Sequence, residues 1–297
     1  MAPTAKKEIQ ALANRPTAVK QSAIVADVEP TATRVIYTEV RESTGYLWLD
    51  RADRSNAMGT EFFEQLPDRV TELDRDPAVR VIVIGSTSRH FSTGLDLKEM
   101  QGLLRGTREG GMTLALDTIK DLQESIGSVA ACKKPVIAAI NGYCIGGGVD
   151  LIACADIRLC SADATFSVRE TRLAMIADLG SLQRLPAIVT RGHLSELALT
   201  GRDISATAAH EIGLVNHVYR DKVDLFNNAA ALANEIGANS PTATQGVKES
   251  LRNHYDKEIT GELDFVAGLN LPQLGSADLI EAVAAHLEKR KPNFRGY

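Results

Sequence analysis

Three successive glycines, Gly146, Gly147 and Gly148, and three acids, Asp150, Glu170 and Asp178, fall within forty residues; their types and spacing could do chemistry. The glycines follow an apolar, β-prone run at 135–140 and precede an unbroken apolar segment at 149–155. That order reads as a strand passing through a turn into the start of a helix. A backbone without side chains lets a ligand reach peptide N–H groups, here at the positive end of a helix. N–H donors with carboxylates beside them can form an enolate and reprotonate it. One such donor contributes about 2.7–4 kcal/mol to a transition state, so a second from elsewhere in the chain would weigh heavily.

Each acid also has a structural explanation. Asp150, in the first turn of the helix, gains about 0.3–1 kcal/mol from the macrodipole. Asp178 could cap a helix starting at Leu179, and Glu170 could pair at the surface with Arg169 or Arg172 for little gain. Taken together, beside a donor hole and with no His, Cys or metal cluster near them, the three favour proton transfer. The glycine run is no phosphate loop, because no Lys-Ser/Thr follows it, and it lacks the dinucleotide spacing; close backbone packing is its alternative reading. The six histidines are scattered without a triad arrangement and read as non-catalytic. Cys132, Cys144, Cys154 and Cys160 lack metal spacing and sit in apolar contexts, as buried free thiols do.

A second turn of the same kind lies at Arg89-His-Phe-Ser-Thr-Gly-Leu-Asp-Leu-Lys-Glu-Met100. It leaves a β-branched strand at 79–84, of the sort a sheet covered on both faces requires, passes Gly94 and opens a helix. Two backbone loops can then converge on one pocket. Upstream, 35–40 and 46–49 read as a hairpin. Thr60 reads as the N-cap of a helix with Phe62, Phe63, Leu66, Val70 and Leu73 on one face, against which Pro67 is a mild conflict. A breaker-rich connection at 106–111 precedes an amphipathic stretch at 114–132. Helices at 181–186 and 193–200, separated by Gly192, lead to a Ser205-capped helix ending at Gly213 and a strand at 214–219. From Val223 onward only helical periodicity appears, punctuated at Ser240-Pro241 and Leu271-Pro272. The chain is α/β in front and all-α behind.

With 297 residues, 44% hydrophobic and 24% charged, the chain has the composition of a soluble globular protein. A net charge of −5 argues against a nucleic-acid surface, and no apolar run reaches the roughly eighteen residues of a membrane helix. Residues 1–33 show no sustained period and read as a flexible extension. Lys6, Lys7, Arg15 and Lys20 would suit a transit peptide, which Glu8, Asp27 and Glu29 weaken.

These motifs resemble the crotonase, or enoyl-CoA hydratase/isomerase, superfamily over about residues 34–297. The matching pieces include Arg51-Ala-Asp-Arg-Ser-Asn-Ala-Met58, Phe91-Ser-Thr-Gly-Leu-Asp-Leu97, Lys134-Pro-Val-Ile-Ala-Ala-Ile-Asn-Gly142, Gly146-Gly-Gly148, Leu199-Thr-Gly201 and Gly213-Leu-Val215. The resemblance implies an α/β spiral of βαβ units at 34–222 and an all-helical oligomerisation region at 223–297 that builds trimers, often paired into hexamers. It implies an acyl-CoA thioester as substrate, with no metal or cofactor beyond the coenzyme A of the substrate itself. The thioester oxygen would sit between the N–H groups of Leu95 and Gly147. Arg54, Ala57, Ser92, Gly94, Asp96, Leu97 and Gly146 match positions lining the CoA channel, and Lys289 in the tail would meet CoA phosphates. Hydratases of the family carry Glu where Asp150 stands and a glycine where Asp178 stands. This chain is more similar to the family's isomerases of fatty-acid β-oxidation that move double bonds from the 3,5 to the 2,4 position. In that reading Asp178 takes the C2 proton, Glu170 delivers one at C6, and Asp150 tunes Glu170 by hydrogen bond or like charge. The rivals are a hydratase adding water to a 2-enoyl-CoA and, further off, a non-enzymatic RNA-binding or scaffolding member. The expected location is cytoplasmic, or the mitochondrial matrix if residues 1–33 are a transit peptide.

Overall fold

The computed structural model describes residues 34–256 and 259–295; the expected N-terminal extension, 1–33, lies outside the described residues. Strands β1 (Ile36–Arg41) and β2 (Thr44–Leu49) form the expected antiparallel hairpin. Helix α1 (Thr60–Arg75) buries the expected stripe from Phe62 to Leu73, with Gly59 rather than Thr60 in the N-cap position. Pro67 lies inside α1 without breaking it. Proline has no N–H for the carbonyl of Phe63, four residues back. Ser125 Oγ of the next helix donates to that oxygen at 2.7 Å, which satisfies it.

Strand β3 (Val81–Ser86) leads through the first glycine loop to α2 (Leu97–Ala131), 35 residues long. This helix runs straight through the glycines expected to interrupt it, because a glycine in a helix interior costs only about 1 kcal/mol. Strands β4 (Val136–Ile140) and β5 (Tyr143–Ile145), helix α3 (Gly147–Ala153) and strands β6 (Ile157–Ser161) and β7 (Thr165–Ser167) follow. The chain continues through the short α4 (Ser181–Arg184), α5 (Arg191–Thr200), which takes in Gly192 rather than starting after it, and β8 (Ile204–Ser205). Helix α6 (Ala206–Glu211) has the expected Ser205 cap. The strand expected from 214 begins only at His217, as β9 (His217–Tyr219). The N–H groups of Leu214 and Val215 instead turn back to the Ala209 carbonyl at the end of α6.

One sheet has the order β1-β2-β3-β4-β6-β9, parallel except for the hairpin; a second has the order β5-β7-β8. Successive strands from β4 to β7 alternate between the two sheets, so each pair of elements makes one turn of a spiral. Leu47, Ile84, Ala138 and Arg158 form one continuous register row across four strands. Both faces of the large sheet are covered, which is why its central strands are apolar throughout. On one face Leu47, Ile82, Ile84 and Ala138 pack with the stripe of α1. On the other, Trp48, Val83, Ile137 and Leu159 meet Leu225, Phe226, Ala229 and Ala233 of α7 (Lys222–Gly237). The first helix of the C-terminal region thus packs on the spiral.

Three helices follow: α8 (Pro241–Tyr255), begun at Pro241 as expected, α9 (Ile259–Leu274), which continues two residues past Pro272, and α10 (Ala277–Leu287). Helix α9 lies on α2 and α4, and α10 on the 3-10 turn Glu170–Leu173. Among the described residues no helix is long and apolar enough to cross a membrane.

Candidate active site

The loop after β3 is fixed by a buried polar knot. Asn56 Nδ2 donates to Ser86 Oγ at 2.7 Å and to the carbonyls of His90 and Phe91 at 2.9 and 3.0 Å. Ser92 Oγ donates to the Asn56 carbonyl at 2.8 Å and accepts from Gly94 N at 3.1 Å. Beyond it the backbone pairs with Met58: Met58 N donates to Gly94 O and Asp96 N donates to Met58 O. In such a parallel bridge the N–H of the intervening residue, Leu95, points away from the Met58 strand.

The second loop meets the first edge to edge. Ile145 N donates to Ser92 O at 3.0 Å, and Gly94, at φ 84°, has no room for a Cβ, which would lie 2.8 Å from Ile145 O and 3.4 Å from Gly147 N. Gly147 is the first residue of α3, so its N–H is one of the groups a helix leaves without an internal partner. Gly146 takes φ 52°, ψ −119°, and a Cβ there would stand 3.0 Å from Glu170 Oε1. Leu95 and Gly147 therefore come together as the sequence suggested, with a carboxyl of Glu170 beside them. Gly148 takes the other reading, close packing: a Cβ would lie 3.2 Å from that of Ser92.

Both loops open on a cavity of about 460 Å³. Arg54, Ala57, Gly94, Leu95, Asp96 and Leu97 line one side, and Gly146, Gly147 and Glu170 the other. Two expected channel residues take other roles. Ser92 is wholly buried and braces the loop instead of lining the cavity. Lys289 lies outside it: the chain turns away after Leu287, and Arg290 pairs with Glu281 of α10 at 2.9 Å. The C-terminal residues that reach the cavity are His286 and Leu287. Asp96 contributes to the lining, but its side chain caps α2 by accepting from the N–H groups of Lys98 and Glu99, and it pairs with Arg51 at 3.3 Å.

The acids form a buried cluster at the inner end. Neither arginine beside Glu170 pairs with it: Arg169 engages Asp203, and Arg172 Nε donates to Thr200 O. Glu170 Oε2 is buried with no partner. Burial, with the charge of Asp150 next, pushes the Glu170 carboxyl up to about 8. Asp150 is 1% exposed, and its Oδ1 accepts from Ser181 N at 2.6 Å. Burial raises it to about 6 against that hydrogen bond. Its influence on Glu170 is thus exerted through like charge. Asp178 caps nothing; Gly180 holds the N-cap position of α4. Its Oδ2 accepts from Asn270 Nδ2 of α9 at 2.7 Å, and burial pushes it up to about 7 against that bond. Leu173 and Met175 line the cavity, and Asp178 does not.

The family model described as enoyl-CoA hydratase/isomerase matches residues 39–297. The chain belongs to the enoyl-CoA hydratase/isomerase family. A peroxisomal delta(3,5)-delta(2,4)-dienoyl-CoA isomerase of Arabidopsis thaliana is 42% identical over 88% of this chain and 95% of its own. A mitochondrial protein of that name from Dictyostelium discoideum is 41% identical over 84% of this chain and 86% of its own. Among solved structures, an enoyl-CoA hydratase/isomerase from Xanthobacter autotrophicus superposes with a TM-score of 0.77 at 25% identity, covering 86% of this chain and 93% of that one. The fold is the crotonase spiral. Within this family member the sequence motifs located the donor loops and the acids, but they missed Tyr143 and Met175 in the lining, Asn56 in the knot, and Asn270 behind Asp178. The signal for Asn270 is a polar residue beside Val266 and Ala267 on the buried face of an apolar helix.

Proposed function

We propose that the protein is an acyl-CoA double-bond isomerase that converts 3,5-dienoyl-CoA to 2,4-dienoyl-CoA. The observation that carries the reading is two buried carboxyls: Glu170 borders Gly146 in the donor loop, Asp178 is held by Asn270, and burial raises both toward neutral pH, where each can take up or release a proton. The thioester oxygen accepts from Leu95 and Gly147 N–H. Asp178 carboxylate breaks the C2–H bond, and the charge spreads over the thioester oxygen, C2, C4 and C6. Glu170 forms the new C6–H bond, leaving double bonds at C2 and C4. Asp178 ends the step protonated and Glu170 ionised, so the pair resets by proton exchange before the next turnover. Asp150 beside Glu170 opposes its ionisation and keeps the acid loaded. Both proton steps belong to side chains, so the reading calls for no resident cofactor. The similarity to two dienoyl-CoA isomerases supports it. These relatives are named as peroxisomal and mitochondrial; the matrix expectation accords with the second, and the cytoplasmic one has no counterpart in the pair.

One observation favours a second reading with the ends exchanged. Glu170 borders Gly146 and lines the cavity, whereas Asp178 does not line it, which suits Glu170 at C2 and Asp178 at C6. The test is Asp178→Asn, assayed by the absorbance of the conjugated dienoyl thioester and by deuterium uptake at C2 in D2O. Isomerisation is expected to fall by at least about 100-fold, with acyl-CoA affinity nearly unchanged. Loss of C2 exchange supports the first arrangement and its retention the second. Turnover of 3,5-dienoyl-CoA at the normal rate would sink both. A wild-type sample that hydrates 2-enoyl-CoA and leaves 3,5-dienoyl-CoA untouched would replace them with the hydratase.

A further inference from the structure

We infer that Asn270, on the C-terminal helix α9, is a positioning residue that fixes the orientation of the Asp178 carboxylate and holds down its basicity. The inference rests on the reading of Asp178 as a proton-transfer group.

Asn270 is 2% exposed, in a helix otherwise apolar on that face. An amide buried without partners would be costly. Both its ends are used, and both on one short loop: Nδ2 donates to Asp178 Oδ2 at 2.7 Å, and Oδ1 accepts from Ile176 N at 2.9 Å. One side chain thus grips the carboxylate and the backbone two residues before it, which removes the rotation of the carboxyl relative to its own loop. From the opposite side Gln123 of α2 donates to the Asp178 carbonyl at 2.7 Å and to Leu263 O of α9 at 3.1 Å. Gln123 therefore fastens the loop backbone, and Asn270 alone of the two touches the reacting group.

A donor to a carboxylate favours its ionised form. The charges around Asp178 do the opposite: Asp150 of α3 raises its pKa, and Glu170 beyond is a second carboxyl. One cation on each of α4 and α2, the helices on which α9 lies, is engaged elsewhere. Arg184 of α4 pairs with Asp256 at 3.0 Å, and Lys120 of α2 pairs with Asp264 of α9 at 2.9 Å. His286 of α10 lines the cavity at its exposed side. Asn270 is thus a neutral group that stabilises the Asp178 anion inside an acidic cluster.

The experiment follows the Asp178 carboxyl directly, by carbon NMR of protein labelled at aspartate Cγ, with the signal assigned by its loss in Asp178→Asn. In Asn270→Ala the Asp178 midpoint is expected to rise by about one unit, and kcat at neutral pH to fall about tenfold, with KM unchanged. Gln123→Met, which loosens the same loop without touching the carboxylate, is expected to leave the midpoint where it is in wild type. Equal midpoint shifts in the two variants, or none in Asn270→Ala, would overturn the proposal as mere loop packing. Should Asn270→Ala not fold, the wild-type side-chain amide of Asn270 answers the question: its nitrogen and proton shifts must titrate with the Asp178 midpoint, and a flat response overturns the inference. A shifted midpoint in a protein that does not isomerise 3,5-dienoyl-CoA would leave the positioning role standing and refute the proposed reaction.

Discussion

At the residue scale, the proposed reaction turns on three carboxyls of the same chemistry in different surroundings. Asp150 sits near 6 because Ser181 N–H offsets part of its burial, Asp178 near 7 because Asn270 does the same, and Glu170 near 8 because burial and then the charge of Asp150 both raise it. The base must be ionised and the acid protonated at once. The rate constant kcat/KM should therefore rise with pH as Asp178 ionises through about 7 and fall as Glu170 loses its proton through about 8. The result is a narrow bell whose two limbs belong to the coupled cluster rather than to single residues. Initial rates on 3,5-dienoyl-CoA across the neutral and mildly alkaline range check it. The residual activity of Glu170→Gln should keep the rise and lose the fall; an unchanged bell in that variant would remove Glu170 from the proton path. The acids and glycines could be read from the sequence because few residue types serve as proton carriers or allow bare backbone. Asn270 and Met175 could not, since an amide or a thioether within a helix or loop has many roles, and only the fold brings them to Asp178 or the cavity.

At the scale of elements, those that bury a complete face were legible: uniform apolarity in β3, the stripe of α1. The errors came at local breakers that the helices absorb. The glycines at 106–111 and Pro67 both argue for interruption, yet α2 and α1 run on. For Pro67 the compensation is specific: Ser125 Oγ, itself buried, supplies the donor that proline withholds from the Phe63 carbonyl. Ser125→Ala should leave that oxygen buried and unbonded, at a cost of about 1–3 kcal/mol. The midpoint of thermal unfolding should drop by about 2–4 °C for each of those. In a Pro67→Ala background the backbone N–H returns, and the same Ser125→Ala change should cost much less. A double-mutant cycle by calorimetry reads the difference; equal costs in both backgrounds would show that the hydroxyl does not serve the proline gap.

At the scale of the whole molecule, helices α8 to α10 bury one face and leave another bare. Leu251 and Tyr255 on α8 are 55% and 56% exposed, Phe265 and Leu269 on α9 are 68% and 46% exposed, and Ile280 on α10 is 55% exposed. Each of the first two pairs is spaced four residues apart, so it forms one stripe per helix. Apolar patches of this kind on a protein surface mark association surfaces. We propose that further copies of the chain cover these faces, in the trimer or pair of trimers that the family resemblance implies. Helix α9 links this surface to the chemistry: Phe265 and Leu269 face outward, while Val266 and Asn270 face inward, where Asn270 holds Asp178. Phe265→Asp with Leu269→Asp should dissociate the assembly, as read by sedimentation at micromolar protein. It should also lower kcat, because an α9 freed of its neighbour holds the 176–178 loop less firmly. A wild-type protein that sediments as a monomer would refute the assembly. A dissociated variant with undiminished kcat would show that α9 keeps its grip on Asp178 without a partner.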